Sequence, residues 1–131
     1  MDAIGTLLTP ETKLLIVDDC LYELKTVPAA NICVLNPYGL DKTRLIRQIV
    51  TTKRDYLPVI GASIKYHSGN RRTGYEGIRL LLELSAYYAN DQHFVLVSFE
   101  QRCDLQRKEF GYVFDASNIE LISYQVLLND Q

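Results

Sequence analysis

Tryptophan is absent, methionine occurs once and histidine twice in the 131 residues. The three cysteines, Cys20, Cys33 and Cys103, are odd in number and widely spaced. A disulfide framework or a zinc site needs pairs at short spacing, so both are excluded, and three reduced thiols are expected. Seven glycines and four prolines are too few for a fibrous or low-complexity chain. Fourteen basic residues nearly balance sixteen acidic ones, leaving a net charge of −2. That balance gives no general pull toward nucleic acid or an acidic membrane. No apolar run approaches the length of a membrane span; the densest, Ile78 to Leu84, is broken by Arg79 and Glu83. Met1 to Lys13 has acidic Asp2, no basic leader and a short apolar stretch, unlike a signal peptide. A soluble, cytoplasmic protein with no membrane partner is the expectation. Nucleophile elbow, phosphate loop and dinucleotide fingerprint are all missing. The chain is therefore expected to be no enzyme, with no cofactor, no catalytic residues and no metal.

What is present is an ordinary core supply. Apolar residues make up 47% of the chain and charged ones 23%. That suffices for one domain that folds without staples. A single domain over residues 1–131 is expected, with a core from about 13 to 125 and an N-terminal extension over 1–12.

Five short apolar runs punctuate the sequence: Leu14–Val17, Ile32–Leu35, Val59–Ala62, Phe94–Val97 and Ile119–Ile122. Four of them do not alternate apolar with polar, which marks strands covered on both faces. Their Val and Ile content favours strands. The last run carries Glu120 in its interior, which suits an edge strand. Helical patterns separate the runs. Leu40, Leu45, Ile46, Ile49 and Val50 lie largely on one face, with Asp41 or Asn36-Pro37 to open the helix and Lys53 and Arg54 near its negative end. Thr73-Gly74-Tyr75-Glu76 matches a capping box. Behind it Ile78, Leu81, Leu82 and Tyr88 form one stripe, and Leu80, Leu84 and Tyr87 a second. A shorter helix is expected from Asp104 to Phe110, stopped by Gly111. Strands alternating with helices predict a three-layer α/β domain with a five-stranded, mostly parallel sheet.

Three segments carry a family resemblance. Lys13-Leu14-Leu15-Ile16-Val17-Asp18-Asp19 is similar to the first strand and acidic pair of the receiver domains of two-component response regulators. Gly74 to Leu81 resembles the glycine-containing entry to their third helix. Val95-Leu96-Val97-Ser98-Phe99 resembles their fourth strand and its hydroxyl switch residue. The likeness spans about Lys13 to Gln125 and implies strand order 2-1-3-4-5. In that family an aspartate ending the third strand accepts a phosphoryl group, and a lysine after the fifth strand contacts it. Here the acceptor position aligns with Ser63, or is shifted toward Lys65, and the lysine position falls near Tyr124 or Gln125. The resemblance therefore implies a pseudo-receiver. Asp18, Asp19, Ser63 and Ser98 would be the vestige of the pocket, and magnesium would be under-supplied with hard oxygen ligands.

Other residues invite weighing. Asp18 and Asp19 sit where an α/β sheet offers its ligand crevice, or they cap the following turn. The loop from Lys65 to Gly74 concentrates Lys65, His67, Arg71 and Arg72, either as a solvated basic loop or as a site for an anion, a nucleotide or a nucleic-acid backbone. Asn36 to Lys42 reads as a strand-to-helix turn, and His93 as a turn residue before the fourth strand. Nine tyrosines divide between core and contact surfaces.

The resemblance also implies that the first and fifth helices cover one sheet face. Cys20 to Ala30, with Pro28, leaves room for only a shortened first helix, and little or no fifth helix fits after Tyr124. Residues Ile4 to Thr9, a second copy, or a neighbouring domain are candidates to cover that face. The functional expectation is a non-catalytic regulatory or signalling module that works through protein contacts, as a homodimer or as part of a larger protein. Its alternative is an anion- or nucleotide-binding domain using residues 65–72.

Overall fold

In this computed structural model the described residues are 8–18, 24, 27–38, 40–62, 64, 76–89, 91–116 and 118–129. All five apolar runs are strands: β1 (Leu14–Val17), β2 (Ile32–Leu35), β3 (Leu57–Gly61), β4 (Phe94–Ser98) and β5 (Ile119–Ser123). They form one sheet in the order β2-β1-β3-β4-β5, with every pair parallel. Glu120 thus lies on an edge strand, as expected. The domain is an open three-layer α/β structure.

The unbroken apolar runs follow from burial on two sides. Leu15, Val17, Ile60, Leu96, Ile119 and Leu121 belong to one core cluster, and Leu14, Ile16, Val59, Val95, Val97 and Ile122 to the other. Alternation along each strand sends successive side chains to opposite layers. A proline in β3, the central strand of the sheet, needs its own explanation. Leu57 donates its N–H to Lys13 O at 2.8 Å. The nitrogen of Pro58 therefore points toward the β4 side, where pairing begins only at Val59 with Val95. The missing donor interrupts no ladder bond.

The first layer holds three helices. α1 (Lys42–Thr52) is opened by Asp41, whose carboxylate accepts from Arg44 N at 2.8 Å, and it buries Leu45, Ile46 and Ile49. Asn36 and Pro37 belong to the preceding turn, where Asn36 Oδ1 accepts from Tyr38 N at 3.0 Å. α2 (Glu76–Ser85) buries Ile78, Leu80, Leu81 and Leu84. Leu82 is instead exposed, and Tyr87 and Tyr88 follow the helix end, so the two stripes expected there merge into one broad face. The capping residues Thr73 to Tyr75 lie outside the described residues.

α3 (Glu100–Ala116) corrects the expected span of Asp104 to Phe110. It starts right after β4 and continues through Gly111, with its break in helical geometry at Phe110 (φ −123°, ψ 23°). The expected stop thus coincides with the break at Phe110, and a second helical stretch begins at Gly111, whose backbone is not in the left-handed region a C′ glycine would use.

The second layer is thin. The short helix α4 (Tyr124–Asn129) contributes Leu127, and Leu8, Leu24 and Val27 complete the buried cluster over β1, β3, β4 and β5. The N-terminal segment, through Leu8, therefore supplies part of the cover, and Leu14, Ile16, Val59, Val95, Val97 and Ile122 on this face are buried within one chain. Between β1 and β2 the described residues include a 3-10 turn, Ala29–Asn31. Most of the expected first helix falls on residues 19–26, which, apart from Leu24, lie outside the described residues. Among the described residues no helix is long and apolar enough to cross a membrane.

Candidate site at the carboxyl end of the sheet

The strand order reverses between β1 and β3, and open α/β sheets offer their crevice at that point, beyond the carboxyl ends of the strands. Asp18 leaves β1 there. It is 2% exposed, and its Oδ2 accepts from the Tyr124 hydroxyl at 2.6 Å. Tyr124 arrives from the other side of the sheet, as the first residue after β5. Its ring packs against Phe99, the first residue after β4, at 5.3 Å between centroids. Three strand ends are thus tied together.

Two glycines make room for this arrangement. A Cβ on Gly61 would lie 2.7 Å from Asp18 Oδ2, so the carboxyl group occupies the space a side chain would take. A Cβ on Gly77 would lie 2.1 Å from Gly61 O and 2.6 Å from Ala62 Cα. Helix α2 consequently sits directly on the end of β3, and Gly77 N donates to Ala62 O at 3.0 Å. Ala62 N in turn donates to Val97 O at 2.8 Å, holding β3 against β4 beyond the last strand pair.

Ser98 ends β4 with its hydroxyl buried and, among the described residues, without a hydrogen-bond partner. Ser123, opposite it in the β4–β5 register, accepts from Val126 N at 3.1 Å and so helps cap α4. A cavity of about 500 Å³ lies alongside, lined by Phe99, Glu100, Gln101, Tyr124 and Gln125.

Of the residues singled out from sequence, Asp18 and Ser98 are placed at this end of the sheet. Asp19, Ser63, Lys65, His67, Arg71 and Arg72 lie outside the described residues. β3 ends at Gly61, and it is Gly61 that abuts the Asp18 carboxyl. The partnership of Asp18 with Tyr124 was not read from sequence. Its signal was available: Tyr124 or Gln125 falls near the position where the resembling family keeps a lysine. The tight contact at Gly61 and Gly77 was also missed, although a glycine closing an apolar strand and another opening a helix both hint at close backbone approach. Among the described residues no group of three His, Cys, Asp or Glu side chains could hold a metal ion.

Two titration shifts are seen away from this site. Burial pushes the Tyr88 phenol up against the lowering effect of Arg54, and burial pushes the Cys103 thiol up against that of Arg107.

The fold and this crevice define an open, all-parallel α/β domain compatible with receiver-like and flavodoxin-like architecture. Comparison with protein-family models, with curated proteins and with solved structures gave no match for this chain.

Proposed function

We propose that this chain is a pseudo-receiver, a regulatory module that works through protein contacts without aspartyl phosphorylation. One observation carries the reading: the Tyr124 hydroxyl holds the buried Asp18 carboxyl at 2.6 Å. In a receiver, the residue after the fifth strand is a lysine that contacts the phosphoryl group. Here Tyr124 or Gln125 falls near that place, and the Tyr124 phenol is bound to the acidic residue itself.

Phosphoryl transfer to protein needs a nucleophile at the strand ends. Against Asp18 stands Gly61, which has no side chain and no space for one. A magnesium ion wants several hard oxygen ligands in near-octahedral array. Asp18 has one oxygen already engaged by a hydroxyl donor, and the described residues do not assemble a metal-binding group. The described residues therefore do not by themselves supply the ligands of the ion that receivers use. Ser98 stands where receivers keep a switch hydroxyl, buried and, among the described residues, unbonded.

Without the acceptor, a receiver-like domain retains its surfaces. A signalling role in a reducing compartment then rests on contacts, and the free thiols of Cys33 and Cys103 suit such a compartment. Thermal denaturation with magnesium and beryllofluoride, a phosphate mimic, tests the reading. The melting temperature is expected to stay constant at all mimic concentrations. A saturable rise requiring both components overturns the pseudo-receiver reading.

A further inference from the structure

The two edges of the sheet are finished differently. On β5, Glu120 places a charge on the strand, and Arg107 Nη2 of α3 donates to Leu121 O at 3.0 Å. Charge and a covered backbone group are both devices that block strand addition. On β2 no charge stands on the strand, and among the described residues the engaged outward group is Ile32 N–H, held by Ala29 O, which leaves the groups of Val34 open. Asn31 to Asn36 contains no charged residue and no proline.

The backbone direction on β2 can be read from its first residue. Ile32 gives its N–H to Ala29 O, in the preceding 3-10 turn. Groups on alternate residues of a strand face the same side. The N–H and C=O of Val34 therefore face away from β1, while Cys33 and Leu35 bond toward it. Val34 is also the most exposed residue of the strand, at 42%. Tyr38, 69% exposed, follows just beyond the strand and extends the apolar surface.

We propose that the β2 edge is a self-association surface, on which a second copy of this chain adds its own β2 antiparallel about a twofold axis through Val34. In an antiparallel ladder, a residue directly opposite another exchanges both N–H···O=C bonds with it. Val34 on the axis meets Val34 of the second copy and makes that exchange with itself. The twofold axis stands normal to the sheet, so like faces continue into like faces. The isologous contact closes at two copies and leaves no new edge at the junction. The uncharged strand meets no like-charge repulsion when it pairs with itself, whereas β5 would bring Glu120 toward Glu120. Self-pairing supplies the contact that a contact module would use, and for its biological role it rests on that reading. The pairing itself stands or falls on association data, which a phosphate-mimic result does not touch.

The test is sedimentation velocity over a concentration series, with each variant first shown to melt cooperatively. Wild type is expected to form a dimer whose fraction grows with concentration. Val34→Lys alone and Val34→Glu alone are each expected to weaken dimerisation by at least about tenfold, because like charges then face each other on the axis. An equal mixture of the two is expected to recover the dimer, with one charge opposite the other. Glu120→Lys, on the opposite edge, is expected to leave association unchanged. A wild type monomeric at every concentration overturns the proposal. So does a dimer indifferent to both Val34 variants, or one lost in both and not recovered on mixing.

Discussion

Tyr124 and Asp18 are joined across more than a hundred residues of chain by a hydrogen bond inside the protein. A buried carboxyl that loses a donor keeps its desolvation cost and loses part of the return. Tyr124→Phe removes the hydroxyl and preserves the ring contact with Phe99. It is expected to lower stability by about 1–3 kcal/mol, read by urea denaturation. The glycine beside Asp18 should reveal the same geometry from the other side. Gly61→Ala drives a methyl group into the carboxyl, and overpacking of this kind costs about 1–3 kcal/mol. Shortening Asp18 to alanine opens that space. The loss from Gly61→Ala is therefore expected to shrink by about 1 kcal/mol or more in an Asp18→Ala background, measured as a double-mutant cycle. Additive losses would show that the two groups do not compete for one volume. Asp18 and Ser98 were legible as candidate residues because they end apolar runs. Their partners were not, because a hydrogen bond between the first and last strands depends on sheet order and on where a tyrosine ring leans.

The strands were legible element by element because burial on both faces removes polar residues from the run. β3 shows the limit: its run reads from Val59, but Leu57 and Pro58 already belong to the strand. A proline argues against a strand until its missing donor is known to point where no partner waits. α1 was legible from its stripe and from the Asp41 cap. α3 was not. Its first turn follows β4 without a capping Ser, Thr, Asp or Asn, since Phe99 holds that place, and a second helical stretch resumes at Gly111 after the break at Phe110. Gly111 has open space where a Cβ would lie and does not use a left-handed backbone. Gly111→Ala is accordingly expected to stabilise the protein by about 0.5–1 kcal/mol, seen as a higher midpoint in urea at unchanged slope. A destabilised variant would mean that the break at Phe110 needs the glycine.

At the scale of the molecule, the layers and strand order came through from the alternation of strands and helices, joined to the receiver likeness. The cover of the second face came through in part: Leu8 lies in the candidate segment Ile4 to Thr9, whereas the isolated Leu24 and Val27 leave no periodic signature. The whole domain should also respond to alkali. The Tyr88 phenol and the Cys103 thiol are both raised by burial, so the folded state holds these protons more tightly than the unfolded chain does. Their contribution is fully present below the pH at which free thiols and phenols ionise. It is lost as pH rises from there through the raised values of the folded state. The melting temperature is expected to fall across that alkaline window, and the Cys103→Ala variant is expected to fall less steeply through its thiol part.

On the proposed reading, the carboxyl end of this sheet is a receiver-like pocket closed to phosphoryl chemistry. The most direct measurement is intact mass after incubation with acetyl phosphate and magnesium, a small-molecule phosphoryl donor with the ion receivers use. An unchanged mass at every time point is the result expected. A gain of one phosphoryl group, labile to hydroxylamine as an acyl phosphate is, would contradict it.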